Sequence, residues 1–225
     1  MKLQSFNSFL NEGVNDPAIF KAIFLAGGPG SGKSFIVGKT GLTSMGYKVV
    51  NSDDAFENAM KKASMEMNPD NIFSVKGQEL RGKAKSLTGT KQAMYIKGRL
   101  GLVIDGTGKD PSKIADQAKE LKKLGYDVAM IFVNTDLDTA ISRDAQRART
   151  LGAKGVTEYW KAVQANIGKF QTMFGKTNFL VVDNSEGKDY QKETLRAYRD
   201  ATKFTQSPVD NSKAKKWIAG EKKQK

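Results

Sequence analysis

Residues Gly27-Gly28-Pro29-Gly30-Ser31-Gly32-Lys33-Ser34 fit the pattern G-x-x-x-x-G-K-[ST] in full. The glycines let backbone N–H groups turn inward and cradle an anion. At this spacing Lys33 reaches the β- and γ-phosphates of a nucleotide, and the Ser34 hydroxyl ligates Mg²⁺. A helix that starts at the lysine adds the positive end of its dipole. A glycine turn without a ligand would need none of the surrounding context. Here the apolar run Ala22-Ile23-Phe24-Leu25-Ala26 leads in and a stretch of helical composition leads out.

Three further groups stand where phosphate chemistry needs them. Asn51-Ser52-Asp53-Asp54 follows a second apolar stretch. A carboxylate there can accept the proton of an attacking hydroxyl. Ser52 or Asp53 can also cap the next helix, and the two roles are compatible. Leu102-Val103-Ile104 runs straight into Asp105, which places that carboxylate near a Mg²⁺ shell; the plainer role is to cap a turn. Arg143 and Arg147 are four residues apart, so on a helix they share one face. Placed over phosphates they would stabilise charge developing during transfer. On a solvated helix, Asp144 would merely balance part of their charge.

Composition narrows the chemistry. The chain has 225 residues and neither Cys nor His. That excludes disulfides, thiolate metal sites, cysteine nucleophiles and every imidazole base. Phosphoryl transfer needs none of these, because it rests on positioning and charge neutralisation. Lys and Arg number 37 against 24 Asp and Glu, a net charge of +13. Such an excess favours an anionic partner: a phosphate ester, nucleic acid or another acidic surface. Residues 61–99 concentrate it, with nine basic and three acidic side chains, although a charge run of this kind also suits a solvated helix face. No apolar run approaches membrane-spanning length, and residues 1–20 lack the core of a signal peptide. The chain is expected to work inside a cell, without a membrane.

The elements that must position these groups alternate. Strands are expected at 22–26, 47–50, 100–104, 128–133 and 179–182. Helices are expected at 33–44, 54–67, 78–98, 111–125, 136–150, 157–174 and 187–204. Asp110-Pro111 opens one helix and Gly125 closes it. Strands alternating with helices predict a parallel sheet covered on both faces, with the ligand at the carboxyl ends of the strands. Those ends carry Gly27, Asn51, Asp105, Asn134 and Asp183. Residues 1–20 place Leu3, Phe6, Phe9 and Leu10 on one helical face, as a packed helix or a docking segment for a protein partner. Residues 205–225 hold six Lys against one Asp and one Glu, and read as a mobile basic tail with Trp217-Ile218 as an anchor. The organisation is thus an N-terminal amphipathic segment (1–20), a central domain (21–204) and a basic tail (205–225).

Taken together, GGPGSGKS, NSDD after the second strand, VIDGTG on the third and R-x-x-x-R before a helical pair resemble the zeta toxin and polynucleotide kinase group of P-loop kinases, over roughly residues 21–185. The resemblance implies an α/β fold of P-loop NTPase, kinase-like type: a three-layer α/β/α sandwich on a five-stranded, mostly parallel sheet. It implies ATP and Mg²⁺, with Ser34 and Asp105 toward the metal and Arg143 and Arg147 as lid arginines, Arg149 in reserve. In phage polynucleotide kinase the first Asp of a pair is the general base, which implies Asp53. Zeta toxins hold the base in an Asn-Asp-x-Phe context, which implies Asp54. Polynucleotide kinases also carry an acceptor-side Arg three residues after the base; here that position is Phe56 or Glu57. The expected activity is transfer of the ATP γ-phosphoryl to a hydroxyl of an anionic acceptor, such as a nucleic-acid 5′ end, a nucleotide or a nucleotide-sugar. Two other classes fit parts of the chain. One is a nucleotide-binding or ATP-hydrolysing protein without acceptor phosphorylation. The other is a structural protein of a phage particle that kept the kinase fold, because residues 1–20 resemble short N-terminal segments of large tailed-phage proteins.

Overall fold

The structure, a computed structural model, describes residues 13–147 and 150–223. The amphipathic face of Leu3, Phe6, Phe9 and Leu10, which carried the expected docking role of residues 1–20, lies outside the described residues, as does Arg149.

Five strands form one sheet in the order β2-β3-β1-β4-β5: β1 (Lys21–Ala26), β2 (Lys48–Val50), β3 (Leu102–Asp105), β4 (Asp127–Asn134) and β5 (Phe179–Asp183). Every pairing is parallel. β1 is buried along its whole length, as its unbroken apolar run requires of a central strand. Its side chains alternate between two cores. Ala22, Phe24 and Ala26 face one layer with Phe132, Phe170 and Phe174. Ile23 and Leu25 face the other with Ile36, Val103 and Val133.

Helices α5 (Pro111–Leu124), α8 (Ile167–Phe174) and α10 (Ser212–Lys223) cover the first face. Helices α1 (Lys33–Thr40) and α9 (Tyr190–Gln206) cover the second. Three helices leave the sheet between β2 and β3: α2 (Ser52–Lys62), α3 (Pro69–Phe73) and α4 (Val75–Lys97). They pack around a small core of their own, Phe56, Met60, Ile72 and Ala84.

Several expectations change. The helix expected at 136–150 ends early, as α6 (Leu137–Ala145). Asp144 is buried and turns the chain by accepting from Thr150 Oγ1 (2.9 Å), Leu151 N (2.8 Å) and Gly152 N (3.2 Å). The single helix expected at 157–174 is two, α7 (Gly152–Gln164) and α8, because Asn166 at the joint spends its amide on the carbonyls of Gly108 and Lys109, both at 3.1 Å.

Within the basic tail, residues 212–223 form α10, with Ala214 in the core and Trp217 and Ile218 packed against it. The segment before α10 is fastened from below. Lys21, 1% exposed, donates to Asp127 Oδ2 at 2.9 Å and Ser207 Oγ at 3.2 Å. Asp127 in turn accepts from the backbone of Asp210 (2.8 Å) and Asn211 (3.0 Å). A buried ammonium is tolerated because each donor meets an acceptor.

Candidate functional site

The glycine-rich loop leaves the carboxyl end of β1 and enters α1 at Lys33. Gly30 and Gly32 have positive φ, 72° and 82°. A β-carbon on Gly30 would run into the backbone of Ala140, and one on Gly32 into the Asn184 amide. Glycine is therefore required twice over, by conformation and by the walls. Asn184 Nδ2 donates to Ser31 O at 2.8 Å, tying the loop to the end of β5. Arg143 on α6 closes the brace: its Nη1 donates to Asn184 O at 2.9 Å and approaches Gly30 O at 3.4 Å.

Lys33 folds back over the loop, its ammonium donating to Gly27 O at 2.7 Å. Burial holds its pKa below the ordinary lysine value; the charge of Asp105 opposes this, that of Arg147 adds to it, and that of Asp53 opposes it. The four charged groups expected around a nucleotide thus feel one another. Ser34 is exposed on the first turn of α1.

β2 and β3 run in register, Val50 opposite Ile104, which sets Asn51 beside Asp105. Asn51, rather than Ser52 or Asp53, caps α2, its Oδ1 accepting from Asp53 N at 2.8 Å. Its amide then donates to Asp105 Oδ2 at 3.1 Å and Asp54 Oδ1 at 3.3 Å. Asp53 and Asp54 are both exposed at the helix mouth. Burial raises the Asp105 pKa above its ordinary value, Lys33 pulls it down, and Asp53 and Asp54 push it up.

Arg143 and Arg147 do not share a helix face. α6 stops at Ala145, and Arg147 lies exposed in the turn beyond it. Arg143 hydrogen-bonds Asn184 O beside the loop, while the charge of Arg147 acts on Lys33.

Next to Asp105 opens a cleft of about 880 Å³ between α4, the β3–α5 loop and α7. Phe24, Leu25 and Ile104 line it, and Lys85, Lys109 and Lys113 bring cations to it. Lys109 Nζ sits 4.1 Å over the ring of Tyr159. Of the two residues expected at the position of an acceptor-side arginine, Phe56 is 1% exposed and packs into its helical core, and Glu57 is exposed. The cations reach this cleft from other elements.

The loop and its surroundings fit a bound triphosphate and Mg²⁺. Among the described residues five buried side-chain oxygens lack a hydrogen-bond partner; Ser31 Oγ, Asp105 Oδ1 and Thr135 Oγ1 lie at the carboxyl edge of the sheet, and Asp144 Oδ1 near the end of α6. A buried oxygen left unpaired costs about 1–3 kcal/mol. Such oxygens gathered around a glycine cradle are suited to ligand or metal contacts.

Sequence reasoning located the glycine loop, Asp53, Asp54, Asp105 and both arginines near this edge. It missed Asn51 as a bridge, Asn184 as a brace and Asn166 as the clamp on the β3–α5 loop. Asn51 was already among the residues at strand ends, without this role; Asn184 stands next to a strand end, which is the signal that could have flagged it. Asn166 lies inside a helical pattern and carries no such signal.

The family described as zeta toxin matches residues 14–193 of the chain. A putative kinase from Chloroflexus aurantiacus is similar in structure, with TM-score 0.54 and 13% identity over 81% of this chain and 98% of that one. The complex AvrRxo1-ORF1:AvrRxo1-ORF2 with ATP matches at TM-score 0.54 and 16% identity, over 80% of this chain and 62% of that one. A chain of the PezAT chromosomal toxin-antitoxin system of Streptococcus pneumoniae matches at TM-score 0.50 and 16% identity, over 89% and 96%. At these identities the likeness is one of fold. No curated protein sequence matches significantly. No helix among the described residues is long and apolar enough to cross a membrane.

Proposed function

The chain belongs to the zeta toxin family, and from that premise we propose that it is a phosphotransferase that moves the γ-phosphoryl of ATP to a hydroxyl of an anionic, phosphate-bearing acceptor. The observation that carries this reading is the meeting of Lys33, Asp53 and Asp105 at the loop mouth, beside a cleft with lysines at its rim. The ATP in the AvrRxo1-ORF1:AvrRxo1-ORF2 complex supports ATP as the nucleotide.

The loop amides and Lys33 hold the β- and γ-phosphates. Ser34 and Asp105 would hold Mg²⁺, which neutralises charge on the phosphate oxygens. Asp53 is the general base. The charges of Asp53 and Asp54 both reach Asp105, but Asp54 is engaged by the Asn51 amide at 3.3 Å, whereas the charge of Asp53 acts on Lys33 as well. The acceptor hydroxyl gives its proton to Asp53, its oxygen bonds to the γ-phosphorus, and the bond to the β,γ-bridging oxygen breaks, leaving ADP. Arg147 stabilises charge on the transferred group; Arg143 keeps the loop in shape. The acceptor's own phosphates meet Lys85, Lys109 and Lys113 in the cleft.

The test is incubation with γ-labelled ATP and Mg²⁺, in parallel with a 5′-hydroxyl oligonucleotide, UDP-N-acetylglucosamine or no acceptor. Label should pass to one acceptor, and should be lost on chelation of the metal and in Lys33→Ala. Absence of both label transfer and ATP binding overturns the reading.

A further inference from the structure

We propose that the pole of the molecule opposite the glycine loop is a docking surface for the phosphate backbone of double-stranded nucleic acid, built from α10 and the ends of α4 and α5. α10 carries five lysines against one glutamate, and all five are exposed. The helix is held rigidly. Its apolar residues Ala214, Trp217 and Ile218 face the core. Lys213 Nζ donates to Lys123 O, and Asn211 Nδ2 to Lys122 O, both at 2.7 Å. The guanidinium of Arg99, just beyond α4, lies 4.2 Å over the Trp217 ring.

These contacts bring three sets of cations to one face. Beside α10, Lys119, Lys122 and Lys123 rim a hollow of about 500 Å³ closed by Ala115, Ala118 and Met173. The nearby acids offset little. Glu120 and Asp210 are spent on exposed pairs with Lys123 and Lys215, and exposed pairs are weak. Lys122, Lys216, Lys222 and Lys223 form no ion pair among the described residues.

The shape of the surface selects the partner. A lipid-binding helix would turn its Trp and Ile outward, but α10 turns them in. Single strands are held by stacking bases on open rings, but Trp217 is enclosed between Phe20, at 5.6 Å, and Arg99. What remains is rigid, spread positive charge, which suits backbone contacts to a duplex without base readout. This face also lies away from the glycine loop. α10 adjoins the amino ends of β1 and β4, and one strand length, about 20 Å, separates it from the loop.

Fluorescence anisotropy with a labelled duplex of roughly 30 base pairs tests the proposal, because backbone binding should weaken on the order of 100-fold between 50 and 200 mM salt. The combined variant Lys122→Gln, Lys216→Gln, Lys222→Gln, Lys223→Gln should bind at least tenfold more weakly, with its melting temperature unchanged. The corresponding Lys→Arg set should keep binding, and Lys33→Ala should bind like wild type. Vesicles of phosphatidylserine and phosphatidylcholine should bind more weakly than the duplex. The proposal is overturned by no duplex binding at 50 mM salt, by equal binding in the Gln variant, by loss in Lys33→Ala, or by tighter capture on vesicles.

Discussion

The two halves of the sheet's carboxyl edge are built differently. On the β1–β4–β5 side the backbone is fixed from several directions. Asn184 and Arg143 grip the loop, and Ala140 leaves no room at Gly30. Trp160 Nε1 donates to Thr135 O at 2.8 Å and Gln164 Nε2 to Asn134 Oδ1 at 2.6 Å, so α7 is tied down as well. On the β2–β3 side, α2, α3 and α4 share a separate small core, and Phe73, Val75, Leu87 and Met94 stand in solvent. The side proposed to hold the nucleotide is therefore formed in advance, and the side proposed to take the acceptor rests on few buried contacts. Pre-organisation belongs where charge develops; a lightly packed helical flap suits admission of a second substrate.

This contrast yields predictions of decreasing size. The proposed base lies where the two halves meet, so Asp53→Asn should lower turnover about 100- to 10,000-fold while ATP affinity holds within about threefold. Asp54→Asn should cost less than tenfold, and steady-state kinetics on the pair would reveal a reversed assignment. On the braced side, Gly30→Ala should cost about 2–4 kcal/mol through strain and collision. That would appear as a lower melting temperature and, by calorimetry, an ATP affinity weaker on the order of 100-fold. On the open side, Lys109→Gln with Lys113→Gln should raise the acceptor KM about 3- to 10-fold and leave the ATP KM alone. An equal rise in both would erase the distinction between the halves.

The smallest effect is a pH dependence at Asp105. Its raised pKa means the folded chain holds this proton more tightly than the unfolded chain does. The favourable contribution is complete below the ordinary value of 3.8 and is lost as pH rises through the raised one, so at pH 7 the ionised group costs stability. Ligand-free Asp105→Asn should therefore melt higher than wild type at pH 7, and the gap should close toward pH 3.8. A gap that widens on acidification would contradict the burial of this carboxylate.

Legibility in the sequence followed locality. The loop was readable because glycine spacing reports backbone conformation directly, and β1 because a central strand must be apolar on both faces. The choice between Asp53 and Asp54 was not readable. Both stand in the first turn of one helix, and they differ by which of them the Asn51 amide engages. The shared face of Arg143 and Arg147 failed because the helix end is set by Asp144, which captures residues 150–152 instead of facing solvent. In α10 the stripe Ala214, Trp217, Ile218 had helical spacing, but the abundance of lysine outweighed it. The proposed acceptor cleft draws its cations from α4, the β3–α5 loop and α5, which only the tertiary structure brings together.

The fastening of Lys21 bears on the order in which the molecule is made. This ammonium opens the central strand, yet two of its oxygen partners, Ser207 and Pro208, and the residues that satisfy Asp127, Asp210 and Asn211, come almost two hundred positions later. Synthesis proceeds from the amino end at about 5–20 residues per second. For on the order of ten seconds a nascent chain therefore carries its glycine loop on a strand whose first residue has nowhere settled to bury its charge. A segment translated almost two hundred positions after Lys21 thus acts as the keystone of the first strand.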